Sequence, residues 1–285
     1  MRVFRTTFLL VALTLLLMLI GQYFGGRNGM TIGLGLAIVG NAFAYFFSDK
    51  IALWSSGAQA VSREQLPRLY AVMERLAAKS NLPVPKLYVV AEPAPNAFAT
   101  GRSPRHASVA VTQGLLELMN DDELEGVIAH ELSHVRNYDI LISSIAATLA
   151  GAILWTTRLG GWFGYGGRDD DRGRGGSPIL GLLLFFLAPF AAMLLQLGLS
   201  RQREYSADAT GARMVGNPYG LISALEKLGA YNKRIPTTAI SPSTSSLCIV
   251  KPMFGGGALS SLFSTHPPLA DRIAALREMT IVPQR

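Results

Sequence analysis

The chain has 285 residues, of which 49% are hydrophobic and only 16% charged, and a mean hydropathy of +0.30. A water-soluble domain carries about 25% charged residues, so the composition excludes an ordinary soluble domain and requires a very large core or a surface facing lipid. Lys and Arg number 26 against 19 Asp and Glu. No zinc-finger spacing, RRM signature or Arg-rich arm accompanies that excess, which argues against nucleic acid as a partner. The single cysteine, Cys248, rules out an internal disulfide framework.

Two uncharged runs open the chain, at 6–26 and 28–48. Each meets the requirement of about 20 apolar residues for a membrane span. No small-x-small cleavage site follows the first run, so it does not read as a signal peptide. "GQYFGGRNG" (21–29) reads as a tight turn, and residues 1–48 are expected to form a transmembrane helical hairpin. Arg2 and Arg5 precede the hairpin, its turn holds Arg27, and residues 49–139 hold nine Lys and Arg. Basic residues collect in cytoplasmic loops, which places the N-terminus and residues 49–139 in the cytoplasm. "KLYVVAEPAPNAFATG" (86–101) reads as a strand, a Pro-containing turn and a second extended piece, within a small sheet spanning about 86–112. His106, beside Arg102 and Arg105, reads as solvated.

"DDELEGVIAHELSHVRNYD" follows Asn120. Asn at the cap with Glu123 three residues later is a capping-box pattern. Leu124, Val127, Ile128, Leu132 and Val135 recur at helical spacing. His130 and His134 are four apart, so both imidazoles leave one face of this helix and reach one metal ion. Glu131 flanks that ion and is placed to take a proton from the water the metal activates. Four His and ten Glu in the chain give a chance expectation of roughly 0.002 for an H-E-x-x-H match.

Two more uncharged runs follow, at 140–157 and 175–200. They are expected to form a membrane-spanning or re-entrant helix pair, kinked at Pro189 and joined by "RLGGWFGYGGRDDDRGRGGS". A catalytic zinc needs a third protein ligand. The residues after His134, "VRNYDILISS", lack the Gly and His of a metzincin. "RQREYSADATGARM" (201–214) offers Glu204, with Asp208 one turn further on the same face and able to support a ligand imidazole. On spacing alone, a solvated helix face is equally consistent. The position favours the ligand reading, because these residues directly follow the fourth run as the H-E-x-x-H helix directly precedes the third. An antiparallel pair would bring both halves to one membrane face. The polar, Ser- and Gly-rich segment 237–262 reads as a loop. In "THPPLADRI", Pro267 reads as the first residue of a helix and His266 as a capping or surface residue.

These segments together resemble the HtpX family of membrane-bound zinc endopeptidases, which is related to the CAAX prenyl-protein endopeptidases. The likeness rests on the N-terminal hairpin, "PNAFATG", "LEGVIAHELSHVRNYD", "REYSADA" and "STHPPLADRI", and segment 237–262 departs from it. The resemblance implies one Zn²⁺ held by His130, His134 and Glu204, with Glu131 as catalytic base. It implies quality-control cleavage of damaged membrane proteins in the bacterial cytoplasmic membrane. It also implies an edge strand at Asn96, Ala97, Phe98 and Ala99 that pairs with substrate, and places His266 and Arg272 near the cleft with Asp208.

The expected fold is mainly α: a multi-pass membrane protein with a zincin-like metallopeptidase domain and a small β-sheet. The hairpin 1–48 and the helix pair 140–200 anchor two cytoplasmic peptidase parts, 49–139 and 201–285. Two alternatives are weaker. In an intramembrane protease the motif lies within a span, and Arg136 and Asp139 would be costly there. A non-catalytic membrane protein with a structural metal would favour four protein ligands rich in Cys.

Overall fold

The computed structural model describes residues 2–146, 148, 201–234 and 267–279. Helix α1 (Arg2–Ser55) is two apolar arms joined at a break, where Gly25 and Gly26 leave helical geometry. Gly26 has φ 56°, a left-handed value that glycine adopts without a Cβ clash. The arms then run back along each other. A Cβ on Gly21 would strike the carbonyl oxygen of Gly29, and one on Gly33 that of Leu17. Further along, Asn41 Nδ2 donates to the Leu10 carbonyl (3.2 Å) and to Thr14 Oγ1 (3.0 Å). Small residues and a cross-helix amide are what close helix approach in an apolar medium uses. Leu10–Ser55 is long and apolar enough to cross a membrane, by length and composition. Leu15, Leu19, Ile32, Leu36, Val39 and Phe43 are exposed on its outside.

Strands β1 (Gln59–Ala60), β2 (Lys86–Val90), β3 (Ala97–Gly101) and β4 (Ala107–Thr112) form one sheet in the order β1-β2-β4-β3. The β2–β4 pairing is parallel, with Leu87 opposite Val109; the other two pairings are antiparallel. The two-residue β1 lies outside the expected 86–112 sheet, because two exposed residues carry no alternating apolar pattern. β3 is an edge strand, yet all five of its residues are buried, because their side chains alternate between faces and both α4 and α1 pack against it.

Helix α2 (Pro67–Lys79) precedes β2, and α3 (Gln113–Leu118) follows β4 with Thr112 as its cap. The central helix is α4 (Asp121–Arg136). Asn120 Oδ1 accepts from the Glu123 N–H, and the Glu123 carboxylate accepts from the Asn120 N–H, both at 2.9 Å. Leu124, Val127, Ile128, Leu132 and Val135 are fully buried; burial of one such side chain stabilises a fold by about 1.5–3 kcal/mol. Helices α5 (Arg201–Val215) and α6 (Tyr219–Arg234) pack on α4, and α7 (Leu269–Arg277) packs on α5 and α6.

Two details set how tightly these helices meet. A Cβ on Gly211 of α5 would lie 3.0 Å from the backbone N of His130, and one on Gly220 would strike the Asp122 carbonyl. On the α4–α6 side, Glu123 accepts from Lys227 Nζ (2.7 Å) and Ser223 Oγ (2.6 Å). Burial works against the Glu123 charge, but these donors hold its carboxyl below the usual range.

Helix α7 corrects one expectation. It begins at Leu269 with Pro268 as cap, not at Pro267. A residue followed by proline is disfavoured in helical geometry, and that excludes Pro267. Helix resumes after α4 at 139–146. The remainder of the third apolar run except Thr148, all of the fourth with Pro189, the loop between them, segment 237–262 and His266 lie outside the described residues.

Candidate active site

His130 and His134 leave α4 one turn apart, with their Nε2 atoms 3.3 Å from each other. Glu204, in the first turn of α5, comes to them across the helix interface. Its Oε2 lies 3.6 Å from Nε2 of His130 and its Oε1 3.6 Å from Nε2 of His134. Tetrahedral donors with bonds of about 2.0–2.1 Å stand roughly 3.3 Å apart, so two imidazoles and a carboxylate spaced in this way fit a single ion. The three ligand atoms all lie within 4.8 Å of one another.

The opposite ring nitrogens face carboxylates, which leaves both Nε2 atoms for a metal. Nδ1 of His130 is 2.8 Å from Asp208 Oδ1. Nδ1 of His134 is 3.4 Å from Asp139 Oδ2. Arg272, fully buried on α7, forks onto Asp208 through Nε (2.8 Å) and Nη2 (2.6 Å). Its Nη1 lies 3.6 Å from Glu204 Oε2. A fixed guanidinium fork suits this bidentate task in a way a lysine does not. Burial opposes ionisation of both partners, but their attraction outweighs it: Asp208 is held below its ordinary range and Arg272 above its own.

Glu131 is buried beside the cluster, and its carboxylate accepts a hydrogen bond from the Ala99 N–H of β3. Burial is the main reason its pKa is pushed up to about 8; His134 pulls the other way. Burial lowers His130. Burial likewise opposes a charge on His134, but Asp139, Glu204 and Glu131 raise it to about 9. A buried carboxyl with a strongly perturbed pKa, next to a cluster of metal donors, is a candidate for proton transfer.

With this geometry in place, the comparisons decide the family. The profile of peptidase family M48 matches residues 63–280. The chain belongs to peptidase family M48. It is 52% identical over 275 residues to a protease HtpX homolog of Desulforapulum autotrophicum, covering 96% of this chain and 88% of that one. It is 50% identical to a protease HtpX homolog of Syntrophobacter fumaroxidans (97% and 99% covered) and 47% to one of Thermococcus sibiricus (96% and 95%). Among solved structures it resembles the crystal structure of S. mikatae Ste24p, with a TM-score of 0.51 at 20% identity. That match covers 93% of this chain and 62% of the other, and at that identity it speaks for the fold alone.

The M48 chain thus brings together His130, Glu131, His134, Glu204, Asp208 and Arg272. Ala97 to Ala99 lie on β3, with Ala99 touching Glu131. Asn96 sits just before the strand, with its N–H on Thr112 Oγ1 at 2.8 Å and its carbonyl accepting from the Thr112 N–H at 2.9 Å. His106 is exposed and paired with Ser103 at 3.0 Å. Asp139 and Arg203, 3.9 Å apart, are additions from the structure. So is the buried Thr100–Ser144 contact of 2.7 Å, which ties β3 to the helix that starts the third apolar run.

Proposed function

We propose that this M48 peptidase is a membrane-anchored zinc metalloendopeptidase that cuts damaged or misassembled membrane proteins, with α1 anchoring it and its site on the cytoplasmic side. The observation that carries the reading is the convergence of His130, His134 and Glu204 with Glu131 beside them. His130, His134 and Glu204 would hold Zn²⁺, which supplies polarisation of the scissile carbonyl and a lowered pKa for the attacking water. Glu131 accepts that water's proton and later delivers it to the leaving amine nitrogen. Asp208, fixed by Arg272, holds the His130 ring with Nε2 presented to the site.

An extended substrate would add to the edge of β3, backbone to backbone, and would then run past Glu131 at Ala99. The exposed apolar surface of α1, and the nine Lys and Arg of 49–139 against the single Arg27 of the hairpin turn, support a cytoplasmic site on a membrane anchor. The relatives are named as proteases, which supports protein substrates, and the anchor supports membrane proteins among them. The uncharged runs at 140–157 and 175–200 support a multi-pass arrangement.

The test is zinc content beside casein cleavage, for protein purified in detergent without chelator. Wild type is expected to bind about one zinc and cut; Glu131→Gln is expected to bind zinc and not cut; Glu204→Ala is expected to lose the zinc. Full activity in Glu131→Gln would remove Glu131 from the mechanism. Stoichiometric zinc in Glu204→Ala would show a different third ligand.

A further inference from the structure

We propose that the β3–β4 loop, residues 102–106, rests on the membrane surface and engages anionic phospholipid headgroups through Arg102 and Arg105. The proposal depends on α1 crossing the membrane and does not depend on proteolysis.

The level of the membrane boundary can be read from α1. Its uncharged stretch 28–48, at about 1.5 Å per residue, is close to the roughly 30 Å of a hydrocarbon core. Aromatic pairs stand just before that stretch and within its last turns. Tyr23 and Phe24 meet edge to face beside Arg27 at one end; Phe43 stacks on Phe47, and Tyr45 meets Phe46, at the other. Exposed aromatic rings at both ends of a span mark the two interfaces. The boundary therefore lies along the turns from Tyr45 to the exposed Trp54, beside Phe46 and Phe47.

Both of those rings carry a cation. Lys50 Nζ lies 5.2 Å from the Phe47 ring centre, and the Arg102 guanidinium lies 5.8 Å from that of Phe46. The second contact comes from the sheet, not from α1, and it fixes the height of the β3–β4 loop against the span. The loop has little freedom to move away. Gly101 holds φ 139°, a Cβ there would strike the His106 carbonyl, and Pro104–His106 form a 3-10 turn. Arg105 is exposed on this turn. Among the described residues, no carboxylate comes within ion-pair distance of Arg102 or Arg105.

The charge at this end is mainly positive. Lys50, Arg102 and Arg105 gather there with Asp49 as the acid at the end of the uncharged stretch, and Arg2 and Arg5 begin the arm that runs antiparallel to it. Guanidinium groups bind phosphate through paired N–H donors. Such groups near an anionic leaflet gain attraction that falls off within a Debye length.

The experiment uses the full chain in neutral mixed micelles, with thermal unfolding followed by tryptophan fluorescence as phosphatidylglycerol or phosphatidylcholine is added. Phosphatidylglycerol is expected to raise the unfolding temperature of wild type more than phosphatidylcholine does, and high salt to reduce the difference. Removing a surface arginine weakens such attraction about five-fold. Arg102→Gln/Arg105→Gln should therefore need well over ten times more phosphatidylglycerol for half the shift, with its phosphatidylcholine curve and bound metal unchanged. Arg105→Gln alone leaves the Phe46 contact in place and should show the single five-fold effect. Three results overturn the proposal: no preference for phosphatidylglycerol in wild type, a wild-type response in both variants, or the same shift produced by inorganic phosphate, which would reveal a small-anion site. Zinc binding and casein cleavage are read separately, so a failure here leaves the peptidase reading standing.

Discussion

The carboxylate of Asp139 lies 3.4 Å from Nδ1 of His134, across the break that ends α4. Tyr138, between them, has φ 59°, a left-handed value that costs a non-glycine residue energy. That one residue turns the chain so that Asp139, the first residue of the next helix, points back at the ligand. Arg203 reaches the same carboxylate at 3.9 Å from α5, one position before Glu204. Asp139 thus links the two helices that carry the metal donors.

Asp139→Asn is expected to keep the fold and weaken metal binding. Outer partners of ligand imidazoles are worth about 10–100-fold in affinity, because they fix the tautomer and ring orientation. Competition against a chromophoric zinc chelator measures this directly. An unchanged affinity would mean that the α4 backbone alone orients His134.

The close approach of α5 to α4 leads to a second prediction. A Cβ on Gly211 would lie 3.0 Å from the His130 N and 3.2 Å from its Cα, tighter than most packed Cβ contacts, and against backbone rather than a flexible side chain. Gly211→Ala should push α5 outward by a few tenths of an ångström and open the Glu204 to His130 distance. Alanine favours helix over glycine by about 1 kcal/mol, which offsets part of the packing cost. The expected signature is a modest fall in unfolding temperature with a larger loss of zinc affinity. A loss of stability with normal affinity would place the strain elsewhere.

Much of this site is legible from spacing. His130 and His134 at four residues, Glu204 and Asp208 at four residues, and the Asn120–Glu123 cap are local patterns, and helical geometry carries them into space unchanged. The hairpin turn is legible because two glycines interrupt a long apolar run. What sequence does not display is contact between distant segments. Arg272 looks like an ordinary basic residue in a polar helix; the family resemblance alone puts it near the cleft, and the packing of α7 on α5 buries it against Asp208. Asp139 is hidden because its aim depends on a left-handed tyrosine, a conformation no residue pattern announces. The Thr100–Ser144 contact is hidden too, since small hydroxyl residues such as Ser143 and Ser144 are common in an apolar run and the partner lies 44 positions away.

Stability should depend on pH through Glu123. Its folded pKa is depressed, so its contribution is complete above the unfolded value of about 4.3 and is lost as pH falls through the folded one. Glu123→Gln removes the charge that accepts from Lys227 and Ser223 and closes the cap. A hydrogen bond to a charged group contributes about 1.5–3 kcal/mol, and the variant should lose stability on that order at neutral pH. The gap between wild type and variant should shrink as the pH falls below the unfolded value and through the depressed folded one, where wild-type Glu123 takes up its own proton. Denaturant unfolding at pH 7 and at acid pH checks both points. A gap independent of pH would show that the amide's geometry, and not the lost charge, is responsible.

The height of the β3–β4 loop also limits where substrates can be cut. Ala99, whose N–H touches Glu131, precedes Arg102 by three residues of extended chain. At about 3.3 Å per residue, the base stands within roughly 10 Å of the headgroup level, whichever way the strand tilts. A membrane protein whose tail pairs with β3 should then be cut close to its own span, since the nearest extended residues reach the base first. A reporter with one span and an unstructured cytoplasmic tail provides the measurement, with cut positions mapped by mass spectrometry. Cleavage is expected to concentrate within about five residues of the boundary, given that extended reach. Moving a protease-resistant block of prolines into that interval should suppress cleavage, and moving it farther out should not. Cuts spread evenly along the tail would mean that substrates enter from the cytoplasm without regard to the membrane surface, and the placement of the β3–β4 loop would have to be abandoned.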